Sequence, residues 1–238
     1  MKPAAVDLRV AGLVRLSTCD WPGQLSATIF CQGCGWNCPY CHNPALRPAH
    51  GTEHIAWKEI RNFLTARVRL LDAVVFSGGE PTLQPALLPA MEEVRRMGFR
   101  IGLHTAGPSP RWLAPLTPLL HWVGFDVKAP FAEYARITGA RDSGAEARAS
   151  LQLLLDAGIE VEARTTVHAA LLNANDLITM REELLALGVK HYVVQQFRAA
   201  GVDPTAGAEQ EKLLQFPPPP MPALGEDFGR GFSSFQMR

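Results

Sequence analysis

Segments with the character of β-strands alternate with longer helical patterns along most of this chain. Alternation of this kind predicts repeated βα units and therefore a parallel sheet. Six segments are predicted strands: Ser26–Cys31, Ala73–Ser77, Arg100–Thr105, Trp122–Val127, Glu160–Val167 and His191–Gln196. Five segments are predicted helices: Ile55–Val68, Pro85–Met97, Arg111–Leu120, Ala145–Ala157 and Asp176–Leu187.

Glycines mark the ends of several predicted helices. Gly98, Gly158 and Gly188 each stand where a left-handed residue would close a helix before the next strand. Right-handed crossovers between parallel strands produce either an open doubly wound sheet or a full or partial barrel. The class is therefore α/β, and periodicity does not choose between these architectures.

The two ends of the chain differ from this repeating region. We expect residues 1–25 to form a small hairpin that leads into the first strand, so that residues 1–200 make one core domain. Residues 201–238 then form an irregular extension rich in proline and glycine. The run Pro217–Pro220 and the aromatic end predict a segment that wraps the surface or faces a partner.

The overall charge excludes some classes of partner. The chain has 23 basic residues (Lys and Arg) and 23 acidic residues (Asp and Glu). Its net charge is therefore zero, and no net field attracts nucleic acid or an anionic membrane. No signal-peptide, lipidation or membrane-span pattern is found, and we expect a cytoplasmic protein without a membrane partner.

All five cysteines fall between Cys19 and Cys41. An odd number of clustered cysteines in such a chain favours a metal site over a disulfide framework. Cys34, Cys38 and Cys41 form a C-x3-C-x2-C run just after the first predicted strand. Three thiolates at this spacing suit a [4Fe-4S] cluster with one open iron. A closed zinc site would need Cys31 or His42 as its fourth ligand.

The cysteine run and its surroundings resemble a known enzyme family. The spacing, with Tyr40 before the last cysteine, is similar to the signature of the radical S-adenosylmethionine (SAM) enzymes. The flanking segments Asp20–Gly23, Thr28–Cys34 and Cys38–Pro44 resemble glycyl-radical-enzyme activases, and most closely the activating proteins of anaerobic ribonucleoside-triphosphate reductases. The resemblance extends from about Leu13 to Phe197.

The resemblance implies a fold and two cofactors. The fold is a partial (βα)6 barrel of the radical SAM type. Cys34, Cys38 and Cys41 would hold the [4Fe-4S] cluster, and the amino and carboxylate groups of SAM would occupy its open iron. Reduction of the cluster would cleave SAM to methionine and a 5′-deoxyadenosyl radical. Tyr40 would lie against the adenine.

Further SAM contacts are implied where the predicted strands end. They are Gly78, Gly79 and Glu80 of a GGE motif, Thr105, Asp126 and Lys128 of a D-x-K pattern, and Arg164. In the family, GGE meets the methionine ammonium group, D-x-K meets the ribose and the carboxylate, and the arginine also reaches the carboxylate. Ligands bind at the carboxyl ends of parallel strands, so these positions would converge. Taken singly, a strand-end ion pair between Asp126 and Lys128 explains those two residues equally well.

Some residues depart from the family pattern or have two interpretations. Activases of this type often carry an acidic residue where this chain has His104. Cys31 is expected to be a small packing residue. Trp21, Trp36 and the phenylalanines of the C-terminal segment either pack internally or form a surface met by a protein partner.

These features predict an enzyme that forms a glycyl radical on anaerobic ribonucleoside-triphosphate reductase by abstracting a hydrogen atom from a backbone glycine. The electron donor is expected to be a flavodoxin-like or ferredoxin-like protein. Two alternatives remain: a radical SAM enzyme acting on a small molecule or RNA, as in deazapurine synthesis, and a zinc-binding interaction module. Zinc leaves the strand-end motifs unexplained, and the neutral charge weakens an RNA substrate.

Overall fold

The computed structural model describes residues 3–51, 54–199 and 224–238. Residues 201–223 of the predicted extension, with Pro217–Pro220, lie outside the described residues. Within the described ranges, no helix has both the length and the apolar character needed to cross a membrane.

Eight strands form one sheet whose spatial order follows the order along the chain, from β1 to β8. Their bounds are β1 Val10–Ser17, β2 Ser26–Cys31, β3 Ala73–Gly78, β4 Arg100–Thr105, β5 Trp122–Asp126, β6 Glu160–Val167, β7 His191–Gln196 and β8 Ser234–Met237. β1 runs antiparallel to β2, and every later pair is parallel. The six predicted strands are confirmed as β2 to β7, with ends that agree to within one residue.

The described residues contain six α-helices: α1 Trp57–Thr65, α2 Leu87–Arg96, α3 Pro110–Leu113, α4 Ala135–Thr138, α5 Ser143–Asp156 and α6 Ala174–Leu187. The glycines predicted to end α2, α5 and α6 do adopt positive φ. The segment predicted as one helix over Arg111–Leu120 is instead the single turn α3 followed by a 3-10 helix, Ala114–Leu119. Pro118 has no amide hydrogen for an α-helical bond, so the longer helix does not form.

Both ends of the chain extend the sheet. β1 is one arm of the N-terminal hairpin and β2 is the other, so the hairpin is not contained within residues 1–25. β8 comes from the segment predicted to be irregular and pairs with β7. Phe228, Phe232 and Phe235 pack around Tyr192 of β7, which holds this strand in place. β1 and β8 do not pair, and the sheet stays open.

The two faces of the sheet are covered differently. The main core lies between the helices and the outer face, where Phe76 and Phe125 are fully buried. A smaller cluster of Trp21, Ala73, Val75 and Trp122 lies apart from that core. The rings of Trp21 and Trp122 stack with their centroids 5.4 Å apart. Because these strand residues lie near the amino ends of β3 and β5, the cluster leaves the carboxyl ends free for a site.

Candidate functional site

A cavity of about 220 Å³ opens where the parallel strands end. Ten of the predicted site residues line it: Cys34, Cys38, Tyr40, Cys41, Gly78, Gly79, Glu80, Thr105, Asp126 and Lys128. The residues come from the loop after β2 and from the ends of β3, β4 and β5. The convergence expected at the carboxyl ends of a parallel sheet is therefore present.

The cysteine loop after β2 is held by backbone hydrogen bonds rather than by regular structure. The Gly33 amide donates to Leu46 O at 2.7 Å, and the Cys34 amide donates to Arg47 O at 2.9 Å. Gly33 has a φ of 98°, a left-handed value that glycine adopts without strain. These contacts fold the loop back on itself and bring the three motif cysteines to the cavity.

The Cys34 and Cys38 thiols lie in an environment that disfavours free thiolates. Burial raises the pKa of Cys34 to about 11 and also raises the pKa of Cys38. Loading a metal centre here must therefore displace protons from the thiols. Lys128 and Arg47 act in the opposite direction on Cys38, since their positive charges favour the thiolate.

Cys31 is separate from the other motif cysteines. It is fully buried in β2 and does not line the cavity, and burial raises its pKa to about 12. It is thus a packing residue as expected, and a four-cysteine zinc site has no support from its position. Among the described residues, no three His, Cys, Asp or Glu side chains stand close enough to share a single ion. Three thiols spread around a cavity suit a larger polynuclear group such as a [4Fe-4S] cluster.

The GGE segment packs directly against the cysteine loop. The Gly79 amide donates to Cys31 O at 2.9 Å, and the Glu80 amide donates to Gly33 O at 2.8 Å. A Cβ on Gly79 would overlap the carbonyl oxygen of Gly33 and would lie 2.8 Å from that of Leu46. The sequence explains the glycines of the GGE motif by the close approach of a ligand. The structure adds a second reason for glycine at position 79, because no side chain fits between the GGE segment and the cysteine loop.

Glu80 is a buried carboxylate with an unusually full set of donors. It is 3% exposed. Its oxygens accept from the Thr82 amide at 3.1 Å, the Thr82 hydroxyl at 2.7 Å, the Thr105 hydroxyl at 2.8 Å and the Ala106 amide at 3.0 Å. Burial raises the pKa of Glu80, while these hydrogen bonds act to lower it. Thr105 therefore orients Glu80, a role the sequence did not indicate.

Asp126 and Lys128 line the cavity and also contact each other. Lys128 Nζ lies 3.4 Å from Asp126 Oδ2 and 5.6 Å from the centre of the Tyr40 ring. Burial works to lower the pKa of Lys128, but Tyr40 and Asp126 raise it well above its usual value. The strand-end ion pair between Asp126 and Lys128 is therefore present, and both residues also border the cavity.

Arg164 does not line the cavity and lies behind its wall. Its Nε donates to Glu162 at 2.7 Å, and its guanidinium stacks 5.0 Å from the centre of the Trp122 ring. Its Nη2 is buried and has no hydrogen-bond partner among the described residues. The predicted direct contact of Arg164 with a ligand is therefore not visible in the cavity lining.

His104 joins Arg164 to the cavity and was seen in the sequence only as a departure from the family. Its Nε2 lies 2.7 Å from Asp20 O and 3.1 Å from Arg164 Nη1, and its Nδ1 lies 3.2 Å from the Ser77 hydroxyl. Burial and the neighbouring Arg164 lower the pKa of His104 to about 4. The ring is therefore neutral at pH 7.

Two further residues that line the cavity were missed, because their segments carry no motif. Gln195 of β7 donates to the Thr166 hydroxyl of β6 at 2.9 Å, and both residues line the cavity.

The partner-surface interpretation of Trp21 and Trp36 is wrong, since the two side chains are only 3% and 8% exposed. Trp36 packs edge-on against Tyr134 and lines the cavity instead.

Comparisons with known proteins agree with this arrangement. Residues 28–177 match the family described as the radical SAM superfamily. A putative glycyl-radical enzyme activating enzyme of Methanocaldococcus jannaschii is 35% identical over 201 residues, which are 79% of this chain and 79% of that protein. The pyruvate formate-lyase-activating enzyme of Clostridium pasteurianum is 32% identical over 104 residues, 42% of this chain and 43% of that enzyme.

A solved structure extends the comparison to the fold. Native anSMEcpe with bound AdoMet, which is SAM, matches with a TM-score of 0.59 at 16% identity, over 86% of this chain and 61% of that chain. This chain spans less than two thirds of anSMEcpe and less than half of the Clostridium enzyme. The likeness to anSMEcpe shows the fold, and the open eight-stranded sheet fits a partial barrel.

Proposed function

The chain belongs to the radical SAM superfamily, and from that premise we propose that it is the activating enzyme of an anaerobic ribonucleoside-triphosphate reductase. Membership makes it an enzyme whose cofactors are SAM and a [4Fe-4S] cluster. The relative that matches 79% of its length supports an activating enzyme for glycyl-radical proteins. One observation supports the radical SAM chemistry of this proposal most directly: the three motif thiols, the GGE segment and Lys128 share one cavity.

We propose that Cys34, Cys38 and Cys41 hold the cluster and that the GGE segment and Lys128 hold SAM. The donor set fits the cluster because three thiols line the cavity while Cys31 stays in the core. When bound and reduced, this pair of cofactors supplies a 5′-deoxyadenosyl radical, which takes a hydrogen atom from the substrate.

The residues of the chain bind and orient. Glu80, held by its four donors, places negative charge where the ammonium group of SAM would lie. Lys128, which is paired with Asp126 at 3.4 Å, supplies positive charge for the carboxylate, and Asp126 accepts from a ribose hydroxyl. Tyr40 offers its ring or backbone to the adenine. Arg164 adds positive charge behind the cavity wall.

The choice of reductase as target rests on the segments around the cysteines. Asp20–Gly23 and Thr28–Cys34 resemble those of the reductase-activating proteins. Asp20 has a structural role here, since its carboxylate accepts from the Thr28 hydroxyl at 2.6 Å and its carbonyl oxygen lies 2.7 Å from His104 Nε2. The resemblance thus covers residues that shape the inner face of the sheet as well as the cluster loop.

The proposed target is tested by glycyl-radical formation in a reconstituted system. The cluster-loaded enzyme is reduced with SAM and incubated anaerobically with the anaerobic reductase or the pyruvate formate-lyase of the same cell. We expect the electron paramagnetic resonance doublet of a glycyl radical on the reductase alone. A variant reductase with alanine at the radical glycine is the control. A doublet on the lyase and none on the reductase would overturn the assignment of the target.

A further inference from the structure

Two polar side chains of the cavity wall lie apart from the proposed contacts to the cluster and SAM. Thr166 near the end of β6 and Gln195 near the end of β7 both line the cavity. The cavity residues proposed to hold the two cofactors come instead from the cysteine loop and from the ends of β3, β4 and β5. The strands nearest to β8 therefore contribute a polar pair that the proposed cofactor contacts leave unused.

Thr166 and Gln195 are fixed relative to each other by the sheet. They are partners in the parallel register of β6 and β7, and the preceding pair on the same face is Arg164 with Val193. Because side chains alternate along a strand, Thr166 shares a face with Arg164 but lies one step closer to the carboxyl end. Gln195 Nε2 donates to Thr166 Oγ1 at 2.9 Å, so the two side chains also hold each other.

This hydrogen bond leaves one donor and one acceptor for another molecule. A hydroxyl donates one hydrogen bond and accepts others, and a side-chain amide has two N–H donors and one acceptor oxygen. With Gln195 Nε2 donating, the Thr166 hydroxyl proton and Gln195 Oε1 have no partner among the described residues. The opposite sense of the bond would leave an acceptor on Thr166 and a donor on Gln195. In either sense the wall presents an uncharged donor beside an uncharged acceptor.

A donor beside an acceptor matches the backbone of an extended peptide. The N–H and C=O groups of one residue in a strand point to the same side, and a neighbouring strand bonds both. A glycine has no side chain to recognise, so an enzyme that acts on a glycine must bind backbone groups or the residues around it. The charged groups of SAM, by contrast, call for charged partners such as Glu80 and Lys128.

The pair also lies beside the cysteine loop. His42 directly follows Cys41, and its Nε2 lies 2.9 Å from Arg198 O, just beyond β7. The ring of His42 packs on Phe197 with the ring centroids 5.5 Å apart. These contacts hold the end of β7 against the cysteine loop, so a peptide bound to Gln195 would lie next to the proposed cluster.

We propose that Thr166 and Gln195 bind the backbone N–H and C=O groups of the target glycine of the protein substrate. This inference deepens the proposed function and rests on it, because a glycyl-radical protein offers a backbone glycine as the reacting group. The pair holds the peptide in place and exchanges no proton or electron with it, so it forms and breaks no covalent bond.

The test separates binding of the protein substrate from binding of SAM. Thr166→Val removes the hydroxyl at nearly constant shape, and Gln195→Met removes the amide at nearly constant length. Thr166→Ser keeps the hydroxyl, and Thr65→Val is the matched control at the exposed end of α1. Glycyl-radical formation by the cluster-loaded enzyme is measured by electron paramagnetic resonance against the concentration of reductase. SAM binding to the unreduced enzyme is measured by equilibrium dialysis.

We expect Thr166→Val and Gln195→Met each to raise the KM for the reductase by about tenfold, because a hydrogen bond to a buried peptide group is lost. More 5′-deoxyadenosine should be released per glycyl radical formed, since a loosely held glycine is missed more often. Thr166→Ser should restore most of the KM, and Thr65→Val should match the wild type. The Kd of SAM should stay at its wild-type value in all four variants.

Two results would overturn the proposal. One is an equal KM for the reductase in the wild type and in both Thr166→Val and Gln195→Met, with Gln195→Met decisive alone if Thr166→Val binds less iron. The other is a raised Kd of SAM in either variant, which would assign the pair to SAM. A failure of the proposed function appears differently, because the wild type itself would then form no glycyl radical on the reductase.

Discussion

Replacing Gly79 with alanine tests whether the GGE segment supports the cysteine loop. An added Cβ would overlap Gly33 O and lie 2.8 Å from Leu46 O, and both are backbone atoms that cannot rotate away. Gly79 is not among the residues with positive φ, so the substitution adds steric conflict without left-handed strain. Overpacking of this kind costs about 1–3 kcal/mol. We expect Gly79→Ala to lose at least about 2 kcal/mol of unfolding free energy, because the contacts are to rigid backbone.

Urea unfolding of the metal-free protein measures this loss, with Gly225→Ala as the matched control. Gly225 has a φ of −56° and open space around it, so that alanine should change stability by less than about 0.5 kcal/mol. Iron bound after anaerobic reconstitution is the second measurement, and it should fall in Gly79→Ala alone. Equal stability and equal iron content of the two variants would refute the claim that Gly79 supports the loop.

Three further predictions concern the cavity. Cys38→Ala should bind little iron while its metal-free form unfolds at nearly the wild-type urea concentration, since the ligands lie on a loop; full iron content would contradict the ligand assignment. Thr105→Val removes the hydrogen bond to the buried Glu80 carboxylate and the acceptor of the Gly107 amide, and it should cost at least about 1.5–3 kcal/mol in urea unfolding, whereas the exposed Thr65→Val should cost far less. The pKa of His104 is lowered to about 4, so the folded protein should lose up to about 3 kcal/mol of stability as pH falls from about 6.5 to 4, because the unfolded chain binds the proton first. His104→Asn should flatten that pH dependence, and an unchanged slope would contradict the neutral buried imidazole.

Much of the framework could be predicted from local patterns. β2 to β7 follow from continuous apolar or β-branched segments, and the glycines after α2, α5 and α6 mark the helix ends correctly. β8 could not be found in this way, because four residues in a glycine-rich segment carry little periodicity. The position of β8 depends on ring contacts between Tyr192 and the phenylalanines of the C-terminal segment, and these residues are far apart in the sequence.

Residues that belong to a sequence motif were predicted to lie at the cavity, whereas residues that line it only because of how the strands pack were missed. The cysteines, the GGE segment and Lys128 all lie at the cavity as expected. Thr166 and Gln195 line it only because β6 and β7 end at the same level, which no local pattern indicates. Arg164 was placed correctly along the sheet, but its direction is set by Glu162 and Trp122, side chains that a strand pattern cannot orient.

Cleavage of SAM by the reconstituted protein tests the central claim most directly. The protein is loaded anaerobically with iron and sulfide, reduced in the presence of SAM, and assayed for 5′-deoxyadenosine by chromatography. We expect 5′-deoxyadenosine from the wild type and none from Cys38→Ala. A wild-type protein that holds zinc instead of iron and produces no 5′-deoxyadenosine would contradict the account.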